Sequence, residues 1–373
     1  MFGARGVGKT SLLKDFFKPE ERCFWIDLLD EDLYRELMTR PSKFVELIPP
    51  DFRKGDWVVA DEIQRIPQLL NYVHKLIEER KLNFALTGSS ARKLKRTGVN
   101  LLAGRALMNT LHPFTHLELG DKFSLLDVLN WGSLPETLYL GSSIEKKEYL
   151  KSYVSTYIRQ EIKEEQVVRN LEPFMRFLEV AAQANGQIVN FSKIGRFAQV
   201  EHKTVERYFE ILIDTFLGFY LEPFHTSARK VQTKSSKFYF FDLGIKKAID
   251  RTLDMQIVSS TPAFGNSFEH FFILECIRMK AYLRVDDTFY YSRTKDDVEI
   301  DLIIERPDRE RIAIEIKSSD SVDANELRSS FLLARDMGIS KFYVASREPI
   351  PRYVEGINIL PWQDVLKEIG YIS

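Results

Sequence analysis

The feature that most constrains the fold stands at the beginning of the chain, in the run Gly3, Ala4, Arg5, Gly6, Val7, Gly8, Lys9, Thr10, Ser11. It fits G-x-x-x-x-G-K-[ST], a pattern whose glycines let successive backbone N–H groups turn inward around a polyphosphate while the following helix directs its positive end at the same charge. Gly3, Gly6, Val7, Gly8, Lys9, Thr10 and Ser11 are therefore the expected cradle, with Lys9 on the β and γ phosphates and Thr10 on Mg²⁺. The competing reading is a plain glycine-rich turn. A loop of this kind ordinarily joins the end of a buried parallel strand to a helix, yet only Met1 and Phe2 precede Gly3. The strand that should carry the loop is expected to be absent, so that either the true start lies upstream or the nucleotide site is damaged.

A second signal lies in Trp57, Val58, Val59, Ala60, Asp61 and Glu62, an apolar run that ends in two carboxylates. A buried parallel strand ends this way when its C-terminal edge meets Mg²⁺ and water, with Asp61 orienting the metal's water shell and Glu62 polarising the attacking water. A further strand, Asn83 to Leu86, runs into Thr87, Gly88, Ser89 and Ser90. That strand end is where a γ-phosphate sensor would sit, although Ser89 and Ser90 serve equally well as a helix N-cap. Beyond come Arg92, Lys93, Lys95, Arg96 and Arg105, read either as a solvated loop or as the source of an arginine that stabilises the transferring phosphoryl group.

Bulk properties remove several function classes. A chain of 373 residues has room for two or three domains, each with its own core. Lys plus Arg number 53 against 54 for Asp plus Glu, so no global field draws the protein to nucleic acid or membrane, and any attraction must be local. The two cysteines, Cys23 and Cys276, stand far apart, which fits a reducing compartment and excludes a thiolate zinc site. No apolar run approaches the roughly 20 residues that span a bilayer, and no signal peptide is visible, so a cytoplasmic protein with no membrane partner is expected.

The segments VADEIQRIPQLL, LTGSS, LAGR, HPFTHLEL and GSLPE, in that order behind the loop, resemble the AAA+ ATPases of bacteria and archaea that carry a C-terminal conserved domain of unassigned function. The resemblance covers nearly the whole chain. It implies an αβα ATPase core using ATP and Mg²⁺, with the acidic pair at Asp61 and Glu62, a sensor near Ser89 and an arginine finger at Arg105.

From about Gly120 to Asn170 the apolar periodicity is helical, predicting a small lid and a connecting helix. The following stretch predicts a helix-turn-helix. Ser192 caps a short helix carrying Ile194, Phe197 and Ala198, Gln199 to Glu201 turn, and Thr204 opens a second helix with Val205, Tyr208, Phe209 and Leu212 inward. Its outward residues carry mixed charge, poor for gripping phosphates. Arg229, Lys230, Lys234 and Lys237, with no acid among them, form the wing of a winged helix and the best local candidates for a DNA contact; protein docking is the alternative.

Thr261 to Asn266, with Pro262 and Gly265, reads as a linker to a last domain. A helix from Ser267 to about Met279 carries Glu269, and strands then carry Asp301 and, further on, Glu315 and Lys317. Strand side chains alternate, so Asp301 shares a face with Glu299 and Ile303, and Glu315 with Lys317. If the two strands pair, Asp301 and Glu315 converge on a divalent metal, Lys317 positions a water, and Glu269 supplies a further ligand through water. The bland reading is a surface ion pair between Glu315 and Lys317 on a half-exposed strand. An acid on a helix followed by D…E-x-K on strands resembles the PD-(D/E)xK nuclease superfamily with its restriction-endonuclease-like fold.

The expected protein is thus α/β: a P-loop NTPase (AAA+) αβα core lacking its first strand over 1–120, a helical lid and connector over 121–170, a winged helix over 171–255 and a restriction-endonuclease-like α/β domain over 256–373. The expected function is Mg²⁺-dependent ATP binding and hydrolysis coupled to a C-terminal half that binds, or cuts, nucleic acid. Two alternatives stand beside it: a nucleotide-gated switch that binds a protein partner or a second copy of itself, and a truncated, inactive ATPase.

Overall fold

Apolar runs of the kind seen at Val58 to Ala60 bury both faces of a strand, and they pair in parallel when helices return the chain. The computed structural model describes residues 1–18, 22–90, 104, 106–164, 171–224 and 236–372. The chain divides into two compact units, one made of Met1–Pro113, Tyr157–Arg169 and Phe209–Leu217, the other of Phe114–Thr156, Asn170–Tyr208 and Gly218–Ser373.

In the first unit β1 (Cys23–Asp27), β2 (Trp57–Asp61) and β3 (Asn83–Leu86) form a parallel sheet in that order. The register Asp27↔Asp61 brings the C-terminal ends of β1 and β2 level. Helix Leu69–Arg80 returns the chain between β2 and β3 and buries Leu69, Leu70, Val73 and Leu76, the stripe that helical periodicity requires. These side chains join Ile26, Leu37, Phe44, Val58 and Ala60 in one core.

The expectation of an absent first strand needs correction at one residue. Phe2 bridges in parallel to both Gly88 and Thr110. Its N–H donates to the Asn109 carbonyl at 2.8 Å, and its own carbonyl accepts from Leu111 N–H at 2.7 Å. The residue before the glycine loop therefore has a bridged backbone neighbour on each flank, Gly88 just past β3 and Thr110.

The second unit holds an eight-stranded mixed sheet. Its strands are β4 (Gly218–Pro223), β5 (Lys237–Phe240), β6 (Thr288–Arg293), β7 (Glu299–Glu305), β8 (Arg311–Ile316), β9 (Lys341–Ser346), β10 (Arg352–Val354) and β11 (Ile357–Pro361), ordered β10-β11-β9-β8-β7-β6-β4-β5. Leu302, Ile304, Ile312 and Ile314 pack with Phe268, Phe271 and Phe272 of helix Pro262–Leu283. Ile303 and Ala313, pointing the other way, pack with Leu327 and Ala334 of helix Ala324–Asp336. Helices thus cover both faces, as alternating side chains demand. No helix among the described residues is long and apolar enough to cross a membrane.

Several local expectations change. Thr261 to Asn266 is not a linker: Thr261 accepts from Phe264 N–H and Pro262 takes the first helical position, so cap and proline together start the long helix. Helix Phe191–Ala198 is capped by Asn190, whose side chain accepts from Lys193 N–H, rather than by Ser192. Ile194 and Ala198 are buried as expected, but Phe197 is 62% exposed. Helices Leu171–Gln183, Phe191–Ala198 and His202–Asp214 precede the antiparallel pair β4–β5. That pair is not isolated, because Glu222 and Pro223 of β4 pair in parallel with Tyr290 and Tyr291 of β6. The region expected as a lid is helical over Leu125–Trp131, Pro135–Tyr139 and Ser143–Ser152, and its Val128 and Leu129 share the core of the second unit.

Two buried polar centres organise this unit. Arg278, 1% exposed, donates to the carbonyl of Phe114 at 2.8 Å, the hydroxyl of Ser133 at 3.0 Å and the carbonyl of Phe241 at 3.3 Å. Its neighbour Glu275 accepts from the backbone N–H of His116 at 3.1 Å, and Asp242 accepts from Ser133 N–H at 2.8 Å. HPFTHLEL and GSLPE are here anchored to the long helix.

The second centre is His270, whose Nε2 lies 2.6 Å from the Phe240 carbonyl and whose Nδ1 lies 3.3 Å from the Asn185 amide. A carbonyl on one nitrogen and an amide donor on the other define a neutral ring, and burial pushes its pKa down to about 3 from 6.5. The folded state then binds fewer protons than the unfolded chain below the ordinary histidine value. Stability from this group is complete above about pH 6.5 and is lost at about 1.4 kcal/mol per pH unit as the pH falls towards about 3. Urea melts at pH 7 and pH 5 should show this loss, and His270→Gln should reduce the pH dependence; an unchanged slope would reject the assignment.

Candidate functional site

The sequence places glycine where the loop backbone needs it. Gly6 and Gly8 have φ of 80° and 93°. A Cβ on Gly3 would stand 2.3 Å from the Leu111 carbonyl, too close for any side chain. The loop leads into helix Lys9–Phe16. Lys9 is buried, and its Nζ donates to the carbonyls of Gly3 at 2.9 Å and Ala4 at 3.1 Å, across the mouth of the loop.

The loop and the acidic strand end meet. The Thr10 hydroxyl donates to Asp61 Oδ2 at 2.6 Å across 51 positions of sequence, and the Thr87 hydroxyl, from the end of β3, donates to Asp61 Oδ1. Asp61 is thus held between the hydroxyls of Thr10 and Thr87. Glu62 follows in a left-handed conformation with φ 59°, a costly position for a residue with a side chain. Its carboxylate accepts from Ser89 N–H at 3.2 Å, from the Ser89 hydroxyl at 2.9 Å and from the Gln64 amide. Gln64 also donates to the Ser89 hydroxyl at 3.0 Å.

The N-terminal region is similar to AAA ATPase domains. Residues 1–120 match the family model described as "AAA domain", which agrees with a P-loop NTPase-like α/β fold. Residues 122–256 and 264–365 match two models, each described as a domain of unknown function (DUF8612 and DUF4143). Among curated relatives, the uncharacterized proteins Mb2031c of Mycobacterium bovis and Rv2008c of Mycobacterium tuberculosis are each 27% identical over 252 residues, covering 66% of this chain. The match spans 56% of those relatives' own length.

Within the AAA-like region, Gly3, Gly6, Val7, Gly8, Lys9, Thr10 and Ser11 lie on the loop and its helix, and the pairs Thr10–Asp61 and Ser89–Glu62 are joined through Thr87, whose hydroxyl donates to Asp61 and accepts from Glu62 N–H. Arg105 and the basic run from Arg92 to Arg96 lie outside the described residues. Gln64 has a role that sequence reading missed. It stood in plain view two residues after Glu62, but nothing in its type distinguishes a clamp on a carboxylate from a solvated amide.

The second unit holds a cavity of about 470 Å³ lined by Lys237, Glu269, Glu299, Asp301, Glu315 and Lys317 among others. The antiparallel register Leu302↔Ile314 sets Asp301 and Glu315 opposite each other one step further on, as the spacing predicted. Asp301 Oδ2 accepts from Ile316 N–H at 2.8 Å. Lys317 pairs with Glu315 at 2.8 Å, and because Glu315 is 7% exposed this is not a surface pair. Burial, then Glu315 and Glu269, push the Asp301 carboxyl well above its usual range; burial likewise raises Glu315, against the pull of Lys317.

Lys237 corrects the wing expectation. It is 4% exposed and donates to Glu269 at 3.1 Å and to Glu299, so it faces carboxylates rather than a nucleic-acid backbone. Burial disfavours its charge, but Glu269, Asp301 and Glu299 outweigh this and hold its pKa above the ordinary lysine value. Arg229, Lys230 and Lys234 lie outside the described residues. Glu269 also accepts from the Tyr239 hydroxyl at 2.6 Å, so it is committed to protein donors. Among the described residues no three His, Cys, Asp or Glu side chains are grouped to hold a metal ion, and the expected Asp301–Glu315 centre is therefore a pair set among lysines.

Proposed function

We propose that the N-terminal region binds ATP and hydrolyses its β–γ bond. The observation that carries this reading is the 2.6 Å hydrogen bond from Thr10 to Asp61, which joins a glycine loop to a strand-end carboxylate from a distant part of the sequence. Thr10 and Asp61 would hold Mg²⁺, which when bound neutralises phosphate charge; the paired hydroxyl and carboxylate are the hard oxygen donors that ion prefers. Lys9 supplies positive charge to the β and γ phosphates by exchanging the Gly3 and Ala4 carbonyls for phosphate oxygens. Glu62 takes up the proton of the attacking water, and to do so it must loosen the hydrogen bonds that Ser89 and Gln64 make to it. Lys9→Ala should weaken ATP affinity by roughly 10–100-fold, the worth of a lost charge-assisted contact. Fluorescent-nucleotide titration measures this, and an unchanged affinity would reject the site.

For the second unit we propose a winged-helix module continued into a restriction-endonuclease-like domain that recognises nucleic acid. This is supported by three helices followed by the β4–β5 pair, and by Asp301, Glu315 and Lys317 converging on one cavity. DNA affinity that falls steeply with salt would support nucleic-acid binding, and a flat response would favour a nucleotide-gated protein switch.

A further inference from the structure

The cavity of the second unit has more acid than its surroundings neutralise. Acidic residues outnumber basic ones two to one along its lining. Glu269, Glu299, Asp301 and Glu315 among them are buried or half-buried, where a charge left without a partner costs several kcal/mol, of the order of the penalty for removing an ion from water. Lys237 meets that need from the first position of β5, opposite Leu221, with its ammonium between Glu269 on the long helix and Glu299 on β7.

Glu315 is not fully served. Oε1 pairs with Lys317, whereas Oε2 has no hydrogen-bond partner among the described residues although the side chain is nine-tenths buried and lines the cavity. An orphaned carboxylate oxygen opposite Asp301 is a place where a hard cation would gain binding energy. The carboxylates that would complete its shell are turned elsewhere: Glu269 to Lys237 and Tyr239, and Glu299 to Lys237 and Arg293.

We infer that Lys237 is a built-in counter-ion that excludes divalent metal from this cavity, so that lysine and metal compete for the same carboxylates. The inference takes from the nuclease-like reading only the positions of the acids, and it needs neither ATP turnover nor DNA cleavage. It makes the cavity a masked cation site.

The test is Mn²⁺ binding to the full chain without nucleotide, read from the electron paramagnetic resonance of the free ion. Lys237→Met should gain a site at least tenfold tighter than any the unaltered protein shows, and adding Asp301→Asn should remove the gain. Binding at the nucleotide loop is common to all variants and cancels in the comparison. Equal binding by Lys237→Met and the unaltered protein would overturn the inference, as would a site in the unaltered protein that Asp301→Asn abolishes. If Lys237→Met does not fold, Lys237→Gln removes the charge while keeping a polar side chain against Glu269 and Glu299. It should also gain Mn²⁺ affinity, and a folded Lys237→Gln protein that gains none would overturn the inference equally. Loss of DNA binding or cleavage in any variant would bear on the nuclease-like reading and not on this one.

Discussion

Glu62→Gln is expected to slow ATP hydrolysis by roughly 10²–10⁴-fold while leaving ATP affinity within a few-fold of the unaltered protein, because the amide keeps the shape of the side chain but not its capacity to take a proton. Its neighbours make the substitution a mild one structurally. The amide oxygen of a glutamine at this position accepts from Ser89 as the carboxylate does, so the left-handed backbone at this position keeps its support. Single-turnover hydrolysis and nucleotide titration together separate the outcomes. Unchanged turnover would place the base elsewhere, and a large loss of affinity would make Glu62 a structural residue of the loop.

Arg278→Ala is expected to cost about 3–5 kcal/mol of stability, the penalty for removing one member of a buried ionic network. Arg278 gathers carbonyls from Phe114 and Phe241 and the hydroxyl of Ser133, and it stands beside Glu275, itself buried. Its removal leaves Glu275 facing the backbone N–H of His116 without the nearby cation. Denaturant melts should report a lower midpoint for the transition of the second unit. Arg278→Lys should recover only part of the loss, because an ammonium lacks the planar fork that reaches several acceptors at once. A shift under about 1 kcal/mol, ordinary for a surface change, would show that the network is solvent-accessible.

What the sequence disclosed and what it concealed divide along physical lines. The glycine loop was legible because its backbone geometry is so demanding: positive φ at Gly6 and Gly8, and the close approach at Gly3, leave few residue choices. The strand ending at Asp61 was legible as an apolar run closed by two acids, a pattern common by itself that gained weight from the glycine loop before it. Side-chain alternation gave the faces of Asp301 and Glu315, and only the pairing of β7 with β8 sets the two opposite each other. Lys237 was misread because a lysine beside a basic run looks solvated, and only the fold turns its strand end into a carboxylate cavity. Phe197 was misread because helical periodicity identifies the apolar residues of a helix without saying how wide its buried face is. Thr261 and Pro262 show the limit of punctuation signals, since the same two residue types end one segment and begin another.

The junction between β4 and β6 has a practical consequence for anyone dividing this polypeptide. The regions 122–256 and 264–365, matched separately, contribute β4–β5 and β6–β11 to a single hydrogen-bonded sheet. A cut between them would leave each fragment with a raw strand border, the kind of surface that templates aggregation. The same border gives the two pieces a complementary seam, so co-expressed halves should reassemble where either alone precipitates.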